Sequence, residues 1–140
     1  MNNISKAIIL ATKAHDGQVD KGGNPYILHP LRVMLKMKSE EEKIVAVLHD
    51  VLEDTELNSK ELLELGLSED AVFAIECLTR HKDESYIEFI QRLKSVPVAR
   101  SVKIADIMDN MNLSRIESPT EQDYIRNLKY QKALDELLSD

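Results

Sequence analysis

The residues with the most chemistry to offer lie where an apolar helix should carry none. Residues 44–55 read IVAVLHDVLEDT. The first half is apolar on nearly every face, the pattern of a helix buried in a core, yet it runs into His49, Asp50, Glu53 and Asp54. His49 and Glu53 are four residues apart, as are Asp50 and Asp54, while Asp50 and Glu53 are three apart. A continuous helix therefore stacks all four side chains on one strip. Three carboxylates buried side by side are costly unless a cation or protons neutralise them, and a divalent metal is the simplest neutraliser. Imidazole mixed with carboxylate suits manganese, iron or zinc better than calcium, which takes oxygen ligands. The plain alternative is that the helix surfaces at His49 and the four groups are solvated.

Two further places carry polar groups out of character with their neighbours. His29 precedes Pro30, and a residue before proline is biased toward extended backbone, which puts His29 at a helix mouth. Asp106 sits in the apolar run VKIADIM, with Asn110 one turn further on the same face. A buried ion pair with Lys103 or Arg100 is the ordinary explanation for Asp106, and a plain loop the ordinary one for His29. Three such anomalies in one short chain are harder to set aside than any one alone.

The elements that must position these groups are well punctuated. Residues 4–15 carry a helical stripe of Ile4, Ala7, Ile8, Ala11 and Ala14. Residues 17–25 form a polar loop with Gly22-Gly23 and Asn24-Pro25 as turn signals. Pro30 suits the first position of a second helix, and Ser39 with Glu42 reads as a capping box for a third. Asn58 or Ser59 caps a short helix ending at Gly66, and Ser68 opens another reaching Thr79. Asp83 or Ser85 opens the next, Pro97 starts a helix through Met108, and Ser118-Pro119 with Glu121 starts a last one to Leu138. No period-two alternation appears, so the expected fold is all-α, one helical bundle over residues 1–140.

Composition bounds the function. At 140 residues with 43% hydrophobic and 31% charged residues, the chain is long enough to bury a core without disulfides. The net charge of −7 argues against a nucleic-acid coat but not against a small phosphorylated ligand, because a bound cation can dominate the local field. The single cysteine, Cys77, excludes a disulfide framework and reads as a small core residue. The apolar run Ile8-Ile9-Leu10-Ala11 is too short for a signal peptide or a span, which points to a cytoplasmic protein without a membrane partner. Nothing in the pattern sets an oligomeric state.

The order His29, then His49-Asp50, then Asp106 resembles the H…HD…D arrangement of HD-superfamily phosphohydrolases. Three blocks are similar to the hydrolase domain of RelA/SpoT-type alarmone enzymes and their small stand-alone relatives: AHDGQVDKGGNPYILHP (14–30), VAVLHDVLEDT (45–55) and VKIADIMDNMNL (102–113). The resemblance implies an HD-domain helical bundle in which His29, His49, Asp50 and Asp106 ligate one divalent cation, usually manganese, with other divalent metals possible. It implies that Glu53 and Asp54 orient or deprotonate the attacking water, and that Lys21, Arg80, Asn110 and Tyr124 contact the nucleotide or its phosphates. It implies hydrolysis of the 3′-pyrophosphate from guanosine tetraphosphate or pentaphosphate.

Each minor position also has a bland reading: Lys21 as a loop charge, Arg80 as a cation at a helix C-terminus, Tyr124 as helix packing. His15 reads as a structural or supporting residue and His81 as exposed. The family usually has an Arg-Lys pair where this chain has Asp20-Lys21, and an aspartate neither stacks on a base nor attracts polyphosphate. Asp109 replaces a common histidine and Ile107 a common arginine. The same chemistry on another phosphorylated nucleotide or metabolite is therefore the near alternative. A non-catalytic nucleotide-binding or antitoxin-like module is the distant one, with the retained ligands and the Glu53-Asp54 pair speaking against it.

Overall fold

Most helices begin where a side chain can take up amides that the helix itself leaves free. The computed structural model describes all residues, Met1–Asp140. In it Asn2 caps α1 (Asn3–Ala14), and α2 (Leu28–Leu35) follows a loop pinned by an isolated bridge between Val19 and Pro25. Ser39 and Glu42 form the expected reciprocal box on α3 (Glu40–Leu48), which is followed directly by the one-turn α4 (Val51–Asp54). Asn58 and Glu61 box α5 (Ser59–Glu64), and Ser68 caps α6 (Glu69–Cys77). Ser85 and Glu88 box α7 (Tyr86–Leu93), and Pro97 occupies the first turn of α8 (Pro97–Asn110). A 3-10 turn (Leu113–Arg115) leads to α9 (Glu121–Leu138), which starts behind Thr120 rather than at Ser118 because Asp123 accepts the Thr120 amide at 2.8 Å. Gly66 stops α5 with φ +91°, a left-handed conformation that side chains resist.

The chain is all-helical, with α3 at its centre. Ile44, Val45, Ala46, Val47 and Leu48 are all buried, so α3 has no solvent face after its first turn. Helices α1, α2, α6 and α8 pack around it, and α9 closes over α7 and α8. All 27 buried apolar residues belong to one cluster, so a single core holds every element that carries a candidate site residue. Fully buried side chains such as Leu48 and Ile75 each contribute about 1.5–3 kcal/mol from burial alone.

Polar staples close the periphery. Arg92 donates to the carbonyls of Cys77 and Thr79 at 3.3 and 3.0 Å and grips Glu84 with Nε at 2.6 Å, so one guanidinium ties the end of α6 to α7. Arg100 donates to the carbonyls of Leu137 and Ser139 at 2.6 and 2.8 Å, holding the end of α9 on α8. Cys77 is buried and His81 exposed, as expected. No helix is long and apolar enough to cross a membrane.

Candidate metal centre

The helix that carries His29 begins before the proline, not at it. Leu28 and His29 donate their amides to Pro25 and Tyr26 at 3.2 and 2.9 Å, so His29 is helical rather than extended. Pro30 is tolerated because a first-turn amide has no intrahelical acceptor to lose. This turns the His29 side chain into the bundle, where it is 4% exposed.

The continuous acidic strip expected along residues 49–54 is also broken. The His49 amide bonds back only three residues, to Ala46 at 3.4 Å, and Asp50 starts α4 with its own carbonyl accepting from Asp54 at 2.9 Å. The break separates the four groups. His49 is 1% exposed and Asp50 largely enclosed, whereas Glu53 and Asp54 stand on the exposed side. Three carboxylates are thus not buried together within this segment; Asp50 is met instead by Asp106 from α8.

His29, His49, Asp50 and Asp106 converge, each offering one donor atom within 4.8 Å of all the others. Asp106 Oδ1 lies 2.7 Å from His29 Nε2 and 3.2 Å from His49 Nε2, and Asp50 Oδ2 lies 3.0 Å from His49 Nε2. His49 Nδ1 donates to the Ala46 carbonyl at 2.5 Å, so its Nε2 faces the cluster. Two imidazole nitrogens and two carboxylate oxygens at one buried point form a donor set that fits a divalent transition metal. Burial works against charge here. It lowers the His49 pKa, but Asp50 and Asp106 more than offset it and hold the imidazole well above its ordinary value. Burial likewise resists ionisation of Asp106, yet Lys103 and the two histidines keep it well below the usual carboxylate range.

A ring of supporting side chains fixes these groups. Lys103 Nζ lies 2.9 Å from Asp106 Oδ2, so the ion pair expected as the ordinary explanation is present, on the oxygen turned away from the histidines. Asn110 Nδ2 donates to Asp106 Oδ1 at 3.2 Å. The Tyr26 hydroxyl donates to Asp50 Oδ2, and its ring packs 4.9 Å from that of His15, which is buried and hydrogen-bonded to Gln18 at 2.8 Å. Glu53 and Asp54 are raised above ordinary carboxylate values, by partial desolvation first and by the charge of Asp50 second.

A cavity of about 270 Å³ opens beside His29, with Lys21, Arg32, Asn110, Arg115, Arg126 and Tyr130 among its walls. Its outer wall is the loop that starts at Asp20, whose Oδ1 accepts the amides of Gly22 and Asn24, each at 2.9 Å. The loop lies so close to the 3-10 turn that a Cβ on Gly22 would stand 2.4 Å from the Arg115 carbonyl oxygen. Of the residues expected to contact a nucleotide, Lys21 and Asn110 line this cavity. Tyr124 does not: it is exposed on α9, and Tyr130 and Arg126 face the cavity instead. Arg80 lies outside it too, donating to the Glu84 carbonyl at 3.0 Å, although its charge is felt by Glu53. Sequence reasoning also passed over Tyr26, Arg32 and Arg115, none of which stands out from its neighbours by type or spacing.

No family model matches the chain. A guanosine-3′,5′-bis(diphosphate) 3′-pyrophosphohydrolase from Aquifex aeolicus is 32% identical over 77% of this chain. A solved structure of a metazoan SpoT orthologue, described as hydrolysing ppGpp and playing a role in starvation responses, matches with a TM-score of 0.81 at 23% identity, covering 99% of this chain and 87% of that one. The chain is an HD-type domain related to the RelA/SpoT hydrolases. A GTP pyrophosphokinase from Myxococcus xanthus is 44% identical over 49% of this HD domain. The domain spans only 10% and 17% of the lengths of the Myxococcus and Aquifex relatives.

Proposed function

We propose that this HD domain is a metal-dependent phosphohydrolase that removes the 3′-pyrophosphate from guanosine tetraphosphate or pentaphosphate. The observation that carries the proposal is the convergence of His29, His49, Asp50 and Asp106 within 4.8 Å, beside a cavity walled by cations. Those four residues would hold a divalent cation, manganese in this reading, which would polarise a phosphoryl oxygen and acidify water. Glu53 and Asp54 stand one turn beyond, exposed and with raised affinity for a proton, and accept the proton of the attacking water. Water adds to the phosphorus bonded to the ribose 3′ oxygen, and the bond between that phosphorus and the 3′ oxygen breaks. The 3′ oxygen leaves as a hydroxyl after taking up a proton, and the nucleoside 5′-diphosphate (5′-triphosphate from the pentaphosphate) and pyrophosphate are released. Lys21 and Asn110 contact the nucleotide from the cavity wall, with Arg80 approaching from the Glu53 side. Residues 1–140 act as one catalytic unit on a small nucleotide in the cytoplasm, without nucleic acid or membrane.

A second reading keeps the chemistry and changes the base. Asp20 is folded into its own loop and supplies no guanidinium to stack on guanine, which favours another phosphorylated nucleotide or metabolite. The test is pyrophosphate and phosphate release by the purified protein with manganese, offered guanosine tetraphosphate and a panel of phosphorylated nucleotides, with Asp50→Ala and a metal-free control. Manganese-dependent pyrophosphate release from the alarmone, absent in Asp50→Ala, is expected. Release from another nucleotide alone would move the assignment to the second reading, and no release from any would overturn both.

A further inference from the structure

We propose that Asp109 is a positioning residue for the metal centre: it fixes the His29 imidazole so that Nε2, and not Nδ1, faces the cluster. The assignment rests on the metal-binding reading above and adds to it a residue that contacts none of the reacting atoms. Asp109 is 4% exposed and lies three residues after Asp106, on the same face of α8. Its Oδ2 stands 2.6 Å from His29 Nδ1. A carboxylate can only accept, so Nδ1 holds a proton against Asp109. Nε2, 2.7 Å from Asp106 Oδ1, is the nitrogen turned to the ligand cluster and the one that would give up its proton to a bound cation.

Two guanidinium groups hold that carboxylate in place. Arg32 grips it as a fork, with Nε 2.8 Å from Oδ1 and Nη2 3.0 Å from Oδ2. Arg115 Nη2 lies 3.4 Å from Oδ2 and donates to the Asp109 backbone carbonyl at 2.8 Å. The forked pairing restricts orientation as well as charge, so Asp109 has little freedom to turn away from His29. One helix therefore supplies both a candidate ligand, Asp106, and the group that aims another ligand arriving from α2. The other imidazole is aimed differently, because His49 Nδ1 donates to a backbone carbonyl that no substitution removes. Only one of the two histidines depends on a replaceable side chain for its tautomer, and such partners shape the affinity of a metal site.

Manganese binding measured by titration calorimetry tests the assignment, with thermal unfolding of each metal-free protein as the folding control. Asp109→Ala is expected to weaken binding about 10- to 100-fold in a protein that remains folded. A second measurement needs no variant: in nitrogen-15 spectra of the zinc-loaded wild type, the remaining His29 proton is expected on Nδ1. That spectrum decides the matter if Asp109→Ala fails to fold. Unchanged manganese affinity in folded Asp109→Ala, or a His29 proton on Nε2, overturns the role of Asp109 while leaving the metal site standing. Failure of the wild type to bind either metal overturns the metal-binding reading and this assignment together.

Discussion

Two pairs of residues one helical turn apart stand in opposite environments. His49 and Asp50 are enclosed and paired with each other, His49 also with Asp106, and the Ala46 carbonyl and Tyr26 fix the outer edges of His49 and Asp50 in turn. Glu53 and Asp54 are exposed, and neither side chain makes a hydrogen bond or ion pair within the chain. The difference arises at the break between α3 and α4, where the backbone gives up a regular helical bond. An inner pair must hold still to converge on one point, and that costs burial of charge. An outer pair with the proton-accepting role proposed for Glu53 and Asp54 needs access to water more than it needs partners. Substitutions inside should therefore damage fold and binding together, and substitutions outside should damage turnover alone.

The harshest test of that contrast is His49→Ala. It should abolish manganese binding and pyrophosphate release, and cost the metal-free protein about 3–5 kcal/mol by leaving buried carboxylates short of a partner. Calorimetry and denaturant unfolding check both halves; retained binding would break the inner half of the comparison. Glu53→Gln should leave manganese affinity intact and stability within about 0.5 kcal/mol, while turnover falls about 100-fold or more. A clear loss of stability in this variant would show that the outer pair is structural after all.

A charged residue remote from both pairs sharpens the contrast further. Arg92→Ala should cost about 2 kcal/mol, through lost charge-assisted bonds to Glu84 and to the last carbonyls of α6, with metal affinity unchanged. Its pairing also sets an acid limit. The Arg92 guanidinium lowers Glu84 from its ordinary 4.5 to about 2. The unfolded chain therefore takes up this proton first as pH falls. The contribution is complete above 4.5 and is lost as pH drops toward about 2, so the wild type should lose more stability over that window than Arg92→Ala does. The smallest effect is expected at Asp20. Asp20→Ala should cost about 1 kcal/mol through two lost bonds to loop amides, and Asp20→Asn, which keeps an acceptor, should cost less. Equal losses in the two would remove the loop-fixing role.

How much of this was legible depended on distance along the chain. The capping box of Ser39 and Glu42, the stop at Gly66 and the start at Pro97 are local signals, and each stands where the sequence puts it. His49, Asp50 and Asp106 are conspicuous as polar side chains in apolar runs, whereas His29 is marked only by its place before Pro30 and joins the set through the family resemblance. The break after His49 was not legible, because residues 44–55 have good helical periodicity and only the demands of packing against α8 and α2 override it. His29 was expected in extended backbone because the preference before proline is local, whereas Tyr26 and Pro25 supply acceptors that carry the helix through. Asp109 was noticed only as a departure from a family pattern; its partner His29 is 80 residues away. Tyr124 comes from the family resemblance alone, and spacing does not reveal that Arg126 and Tyr130 face the cavity, because α9 has few buried positions, Asp123, Ala133 and Leu137.

The contact between Gly22 and the Arg115 carbonyl gives the cavity a mechanical property. Gly22 and Arg115 both line it, so on that side the cavity is bounded by two stretches of main chain in close contact. Exchanging Lys21 would change the charge of this wall and leave the main-chain contact in place. A single methyl group at position 22 would act as a wedge, since loop and turn must move apart to admit it, and this wall of the cavity would move with them.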